Sequence, residues 1–214
     1  MTIYALSSGS GIAGIAVIRI SGPKTREIIT KMTSGSFPKA KHATLKNINK
    51  IETKEVIDEG IVIWFPSPQS YTGEDMAEFH VHGSRAVIEA VHEEVSKIEN
   101  CRPADAGEFT KLAFQNGKIN LLKAESISDL ISAETEMQRH QAIKIMSGRS
   151  SKKFNGLRER LLKILSNVEA KIDFPEDDLP EDIIKNIKIE SKEIKEEIQK
   201  ILNDQKVGEL IREG

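Results

Sequence analysis

Apolar positions in the first part of the chain change period repeatedly, and each change predicts an element boundary. The run GIAVIRI at 14–20 is short and β-branched. It stops at Ser21, Gly22 and Pro23, where Pro23 can stand in the first turn of a helix reaching about Thr33. Residues 44–51, 60–65 and 76–82 read as further strands. The middle one, GIVIWF, is apolar on both faces, which predicts a central place in a sheet. A turn, PSPQSYTG, separates the last two at 66–73. After Gly83 the residues Val87, Ile88, Val91, Val95 and Ile98 keep helical spacing. Asp105 and Glu108 have the offset of a capping box, opening a helix that ends at Asn116 and Gly117.

From Ile119 onward the period is helical. Leu122, Ile127, Leu130, Ile131, Met137, Ala142 and Ile145 share one stripe; Leu157, Leu161, Leu165, Val168 and Ile172 form a second. Two prolines and four acidic residues break the run at 173–180, and Ile183, Ile187, Ile194, Ile198 and Ile201 then define one more helix. One preceding antiparallel helix covers little of such a stripe, so partner helices are expected to be missing. The fold class is α+β: a mixed α/β domain followed by an all-α segment.

Composition sharpens this division. Residues 1–150 hold 18 basic and 18 acidic residues, together with 11 of the 14 glycines, whereas 151–214 hold 13 and 15 charges in far less length. Turns belong to the first part and long helices to the second. The formal net charge is -2, so no global basic field marks a nucleic-acid binder, and any RNA contact is local or shared with a partner. The longest strongly apolar run, 61–66, is far short of the ~20 residues that span a bilayer. The start of the chain has no secretory pattern, and a lone Cys101, read as a packing residue, fits a reducing cytoplasm. The chain therefore reads as soluble, cytoplasmic and without membrane partners.

Candidate chemistry is sparse. Residues 9–14, GSGIAG, match a dinucleotide fingerprint, but a strand rather than a helix follows, which removes the anion-binding helix terminus; a flexible turn or ligand-covering loop fits better. No stretch fits the P-loop pattern, so this chain alone is not expected to hydrolyse GTP or ATP. Glu78, His80 and His82 alternate on a strand and share a face. Alternate residues sit ~7 Å apart, so a metal site, a polar ligand pocket and a solvated sheet face all stay open. Arg19 interrupts an apolar strand, either on an exposed face or held for an anionic ligand. Lys118 follows a helix-ending glycine and can be an ordinary C-terminal cation. If Arg19, Glu78 and Lys118 converge, two cations and a carboxylate suit a ligand bearing carboxylates and a ring with N–H groups.

Taken in order, GIAVIRISG at 14–22, WFPSPQSYTGED at 64–75, EFHVHG at 78–83, RPADAGEFT at 102–110, AFQNGKINL at 113–121, AESISDLI at 124–131, IDFPEDD at 172–178 and LIREG at 210–214 resemble the N-terminal portion of the bacterial tRNA modification GTPases of the MnmE, or TrmE, family. The resemblance implies a tetrahydrofolate-binding and dimerisation domain at 1–118, similar to folate domains of aminomethyltransferase-like one-carbon enzymes. The first part of a helical domain follows at 119–214 and ends where a GTPase domain would begin. It places folate contacts on Arg19, Glu78 and Lys118, with 5-formyltetrahydrofolate or 5,10-methylenetetrahydrofolate as the cofactor. GTP, potassium and magnesium are expected in the GTPase domain alone, and no catalytic residue or metal ligand in this chain. Family members often carry His-Gly-Gly where this chain has His82, Gly83 and Ser84. The implied reaction adds an aminomethyl or carboxymethylaminomethyl group at C5 of the wobble uridine of tRNA. The implied partners are a second copy of the chain and a flavin-dependent subunit, a heterotetramer in the full-length enzyme. Two other readings stay open: a dimerisation scaffold without a working folate site, and a freestanding folate-dependent aminomethyltransferase.

Overall fold

The computed structural model describes residues 1–9, 11–173 and 182–203. The chain divides into two compact units at Asn120 and Leu121. The first is built on a six-stranded sheet of β1 (Thr2–Leu6), β2 (Ala13–Ser21), β3 (Thr44–Asn49), β4 (Val56–Phe65), β5 (Met76–Gly83) and β6 (Cys101–Pro103), in the order β3-β4-β5-β2-β1-β6. All neighbours are antiparallel except β1 and β6. Three helices accompany the sheet: α1 (Thr25–Met32), α2 (Arg85–Ser96) and α3 (Glu108–Gln115).

Side-chain alternation divides the sheet into two unlike faces. Ile18 and Ile20 of β2, Phe79 of β5, Val62 of β4 and Ile48 of β3 join Ile28, Ile29 and Met32 of α1 and Val91 and Val95 of α2 in one fully buried cluster. Both helices bury their apolar stripe there. The opposite face carries Arg19, Glu78, His80 and Ile61.

Several sequence expectations change in three dimensions. Strand β4 lies one place in from the edge, and Ile61 on its outer face is 39% exposed, so a strand apolar on both sides is covered on one. Pro23 stands ahead of α1 rather than in its first turn. Lys24 occupies the N-cap, and its N–H donates to Thr2 Oγ1 at 2.9 Å. Gly22 makes this crossing possible, because a Cβ there would stand 2.7 Å from Thr2 Cα. The capping box at 105–108 forms by half. The Asp105 N–H donates to Glu108 Oε2 at 2.8 Å, but Gly107, left-handed at φ +74°, caps α3, and the Glu108 carboxylate is also bound by Arg102. Strands β1 and β6 are too short to announce themselves by period.

In the second unit, α4 (Leu121–Ile131), α5 (Glu136–Met146), α6 (Arg149–Asp173) and α7 (Asp182–Leu202) follow one another. The stripe from Leu122 to Ile145 is therefore two helices. Thr135 and Gln138 form a reciprocal capping box that starts α5 afresh, and Gly148 at φ +81° precedes α6. Arg160 of α6 reaches Glu193 and Glu197 of α7 at 3.1 Å each. Beside this seam a groove of about 430 Å³ is lined by Phe154, Leu157, Leu161, Leu162, Leu165 and Ile198. Leu161 and Leu165 remain about half exposed. Residues 174–180 of the expected break at 173–180, the LIREG motif at 210–214 and Ser10 of the glycine-rich loop lie outside the described residues. Among those described, no helix is long and apolar enough to cross a membrane.

His92 of α2 packs edge-on against Tyr4 at 5.3 Å, with its Nε2 buried and without a hydrogen-bond partner. Burial disfavours the imidazolium and lowers its pKa from 6.5. The unfolded chain therefore takes up this proton first. Stability is unaffected by His92 above pH 6.5 and is lost as pH falls below it. Urea midpoints between about pH 7.5 and about pH 5.5 are expected to fall, and His92→Phe to flatten that slope. A variant with the wild-type slope would show that His92 is not the responsible group.

Candidate functional site

Strands β2 and β5 place Arg19 and Glu78 directly opposite each other on the open face of the sheet. Arg19 donates from Nη2 at 2.8 Å and from Nε at 3.1 Å, both to Glu78 Oε1. His80, two residues along β5, stands with its Nε2 3.2 Å from Oε2. The Glu78 side chain is 16% exposed and that of Arg19 28%, so the pair is shielded enough to strengthen its attraction yet open to a ligand.

Two aromatic rings flank the guanidinium. Tyr71 lies 5.7 Å from Arg19 Cζ and Phe109 5.6 Å, the range of a cation–π contact. Tyr71 belongs to the turn between β4 and β5, and its hydroxyl bonds Thr110 Oγ1 of α3 at 2.9 Å. Phe109 is the second residue of α3. The start of that helix is anchored by Arg102, whose Nη1 donates to Glu108 Oε2 at 2.9 Å and whose guanidinium holds the Glu108 carboxyl below the usual carboxylate range.

Lys118 is placed differently. Its Nζ donates to the Pro68 carbonyl at 2.8 Å, and a Cβ on Gly73 would stand 3.2 Å from its Cδ. Nearby, Asn116 Nδ2 donates to the Thr72 carbonyl at 2.7 Å. Lys118 thus braces the turn that carries Tyr71. Of the three residues singled out from the sequence, Arg19 and Glu78 are in direct contact, while Lys118 is joined to them through this turn.

The alternating run at 78–82 separates into two pairs. His82 is exposed and faces Asp58, which accepts from the His82 N–H at 2.7 Å and lies 2.8 Å from its Nδ1. Burial opposes ionisation of Asp58, but these contacts outweigh it and hold the carboxyl below its usual range. Glu78, His80 and His82 therefore do not share one centre. No group of three or more His, Cys, Asp or Glu side chains among the described residues is arranged to hold a metal ion.

Tyr71 and Phe109 are the residues that sequence reasoning missed. One sits in a polar turn and one in the first turn of a helix, positions where an aromatic side chain carries no periodic signal. Chemically, the site offers N–H groups and a carboxylate edge side by side beneath two rings. Arg19 Nη1 has no hydrogen-bond partner among the described residues. Glu78 accepts at both oxygens, with three of roughly four acceptor positions used. Such a surface recognises a planar ligand that carries both acceptors and an N–H donor.

Comparison with known proteins adds two family matches: "GTP-binding protein TrmE N-terminus" over residues 2–118 and "MnmE helical domain" over 121–214. A tRNA modification GTPase MnmE of Pelagibacter ubique is 70% identical over 214 residues, covering 100% of this chain and 48% of that protein. The MnmE of Rickettsia akari is 45% identical over 213 residues and 48% of its length. The mitochondrial tRNA modification GTPase gtpbp3 of Dictyostelium discoideum is 44% identical over 220 residues and 43% of its length. The chain spans about half the length of the curated relatives it matches.

Proposed function

The chain belongs to the family of the GTP-binding protein TrmE N-terminus, and from that membership we propose that residues 1–118 bind a reduced folate and pair two copies of the chain within a tRNA modification GTPase. The observation that carries this reading is the Arg19–Glu78 pair on the open sheet face, set beneath Tyr71 and Phe109. A folate matches that set on chemical grounds: it is a planar ring with amino and amide N–H groups, joined to a tail with carboxylates. Arg19 fits the acceptors of such a molecule, Glu78 its N–H donors, and the rings its plane.

A bound methylene-tetrahydrofolate would supply a one-carbon unit at the oxidation level of the methylene that extends C5 of a wobble uridine, whereas a formyl-tetrahydrofolate would need a two-electron reduction, which in this proposal falls to the flavin-dependent partner subunit. The chain's own residues bind and orient. Arg19 fixes Glu78, the two rings exclude water from their contact, and Lys118 holds the turn in place. GTP hydrolysis, the flavin-dependent partner subunit and the full modification, an aminomethyl or carboxymethylaminomethyl group, belong in this proposal to the longer protein.

Calorimetric titration of the purified chain with 5-formyltetrahydrofolate, with light scattering for the oligomeric state, tests the reading. A dimer that binds the folate with about one site per protomer is expected. A folded dimer that takes up no folate would favour a dimerisation scaffold instead.

A further inference from the structure

We propose that His80 is a positioning residue of this site: its Nε2–H fixes the plane of the Glu78 carboxylate and leaves one acceptor position, on Oε2, for an N–H donor of a planar heterocyclic ligand. The inference rests on the folate reading of the Arg19–Glu78 pair and adds to it a residue and the atom that meets the ligand.

Both Arg19 bonds fall on Oε1, from Nε at 3.1 Å and Nη2 at 2.8 Å, so Arg19 holds Glu78 at one oxygen. The terminal torsion of a glutamate is broad, and a carboxylate held at one oxygen can turn about it. His80 supplies the second tether, with Nε2 3.2 Å from Oε2. An ionised carboxylate presents acceptors alone, so the ring nitrogen facing it carries the proton. Two donors on Oε1 and one on Oε2 use three of roughly four acceptor positions, and the remaining one is on the oxygen that His80 holds.

The surroundings of His80 leave it few other polar commitments. Directly opposite on β2 stands Val17 and on β4 Ile61, both apolar. His82, the next residue on that face of β5, is engaged by Asp58. His80 is 28% exposed in its side chain, so its tether to Glu78 lies at the rim of the site rather than in the core.

The test compares two substitutions in the purified chain. His80→Gln keeps an N–H donor of similar reach, and His80→Leu keeps bulk without a donor. With 5-formyltetrahydrofolate as the probe, His80→Leu is expected to weaken binding by about tenfold and His80→Gln to stay within about threefold of wild type. A ligand-free readout accompanies it: the imidazole ¹⁵N resonances of His80 are expected to move on Glu78→Gln. Wild-type affinity in His80→Leu would overturn the proposal, and so would equal weakening by both variants. His80 resonances indifferent to Glu78→Gln would remove the tether itself, whatever the chain binds. If His80 responds to Glu78→Gln but the wild-type chain binds no folate, the folate reading fails and the tether stands as a structural contact.

Discussion

Arg19→Ala is expected to weaken 5-formyltetrahydrofolate binding by about 100-fold, the scale on which truncating one partner of a shielded, hydrogen-bonded charge pair acts. Two losses combine. The N–H groups free for the ligand's acceptors disappear, and Glu78 loses both donors on Oε1, leaving its carboxylate tethered by His80 alone. Arg19→Lys is expected to recover little. An ammonium is a point donor that cannot bond from two nitrogens, and it does not stack between Tyr71 and Phe109 as a planar guanidinium does. The fold should survive both changes at a cost of about 1 kcal/mol, because the pair lies at the surface of the sheet. Calorimetry and a thermal melt on the same samples separate the two effects. Undiminished affinity in Arg19→Ala would sink the placement of the site at the Arg19–Glu78 pair.

The largest stability effect is expected one residue from Glu78. Phe79 is fully buried and meets Ile18 and Val62, its neighbours across β2 and β4, in the cluster that α1 and α2 cover. Phe79→Ala removes a ring from a close-packed layer and should cost about 3–5 kcal/mol. That is a large share of the roughly 5–15 kcal/mol by which a domain is stable, with a drop in melting temperature on the order of 10 °C or more. Phe79→Leu should lose much less. A cost below about 1 kcal/mol for Phe79→Ala would mean that the helices collapse onto the gap, contrary to the tight packing inferred here. Because Phe79 lies between Glu78 and His80 on the same strand, folate binding by Phe79→Ala is to be measured well below its melting temperature.

Much of this architecture was legible along the chain. The β-branched run at 14–20, the strands at 60–65 and 76–82 and the helical stripe after Gly83 were set by local periodicity and by turn residues, which act within a few residues of themselves. Arg19 stood out because a charge in an otherwise apolar strand must face away from the core or find a partner, and Glu78 because it alternates with His80 and His82 on one strand face. Other features depended on contacts distant in sequence. The pairing of β1 with β6 links Thr2–Leu6 to Cys101–Pro103, two segments too short to show a period. The register that sets Arg19 opposite Glu78 joins residues 59 apart. The placing of Tyr71 and Phe109 over that pair required the 66–75 turn and α3 to meet, and the assignment of Lys118 to Pro68 rather than to Glu78 followed from the same turn. The sequence by itself determined the longer strands, the helical character of the second unit and which side chains are unusual for their place. Which of those side chains touch was decided by the tertiary structure, because hydrogen bonds and ring contacts act over a few ångströms and chain separation carries no information about them until the sheet has assembled.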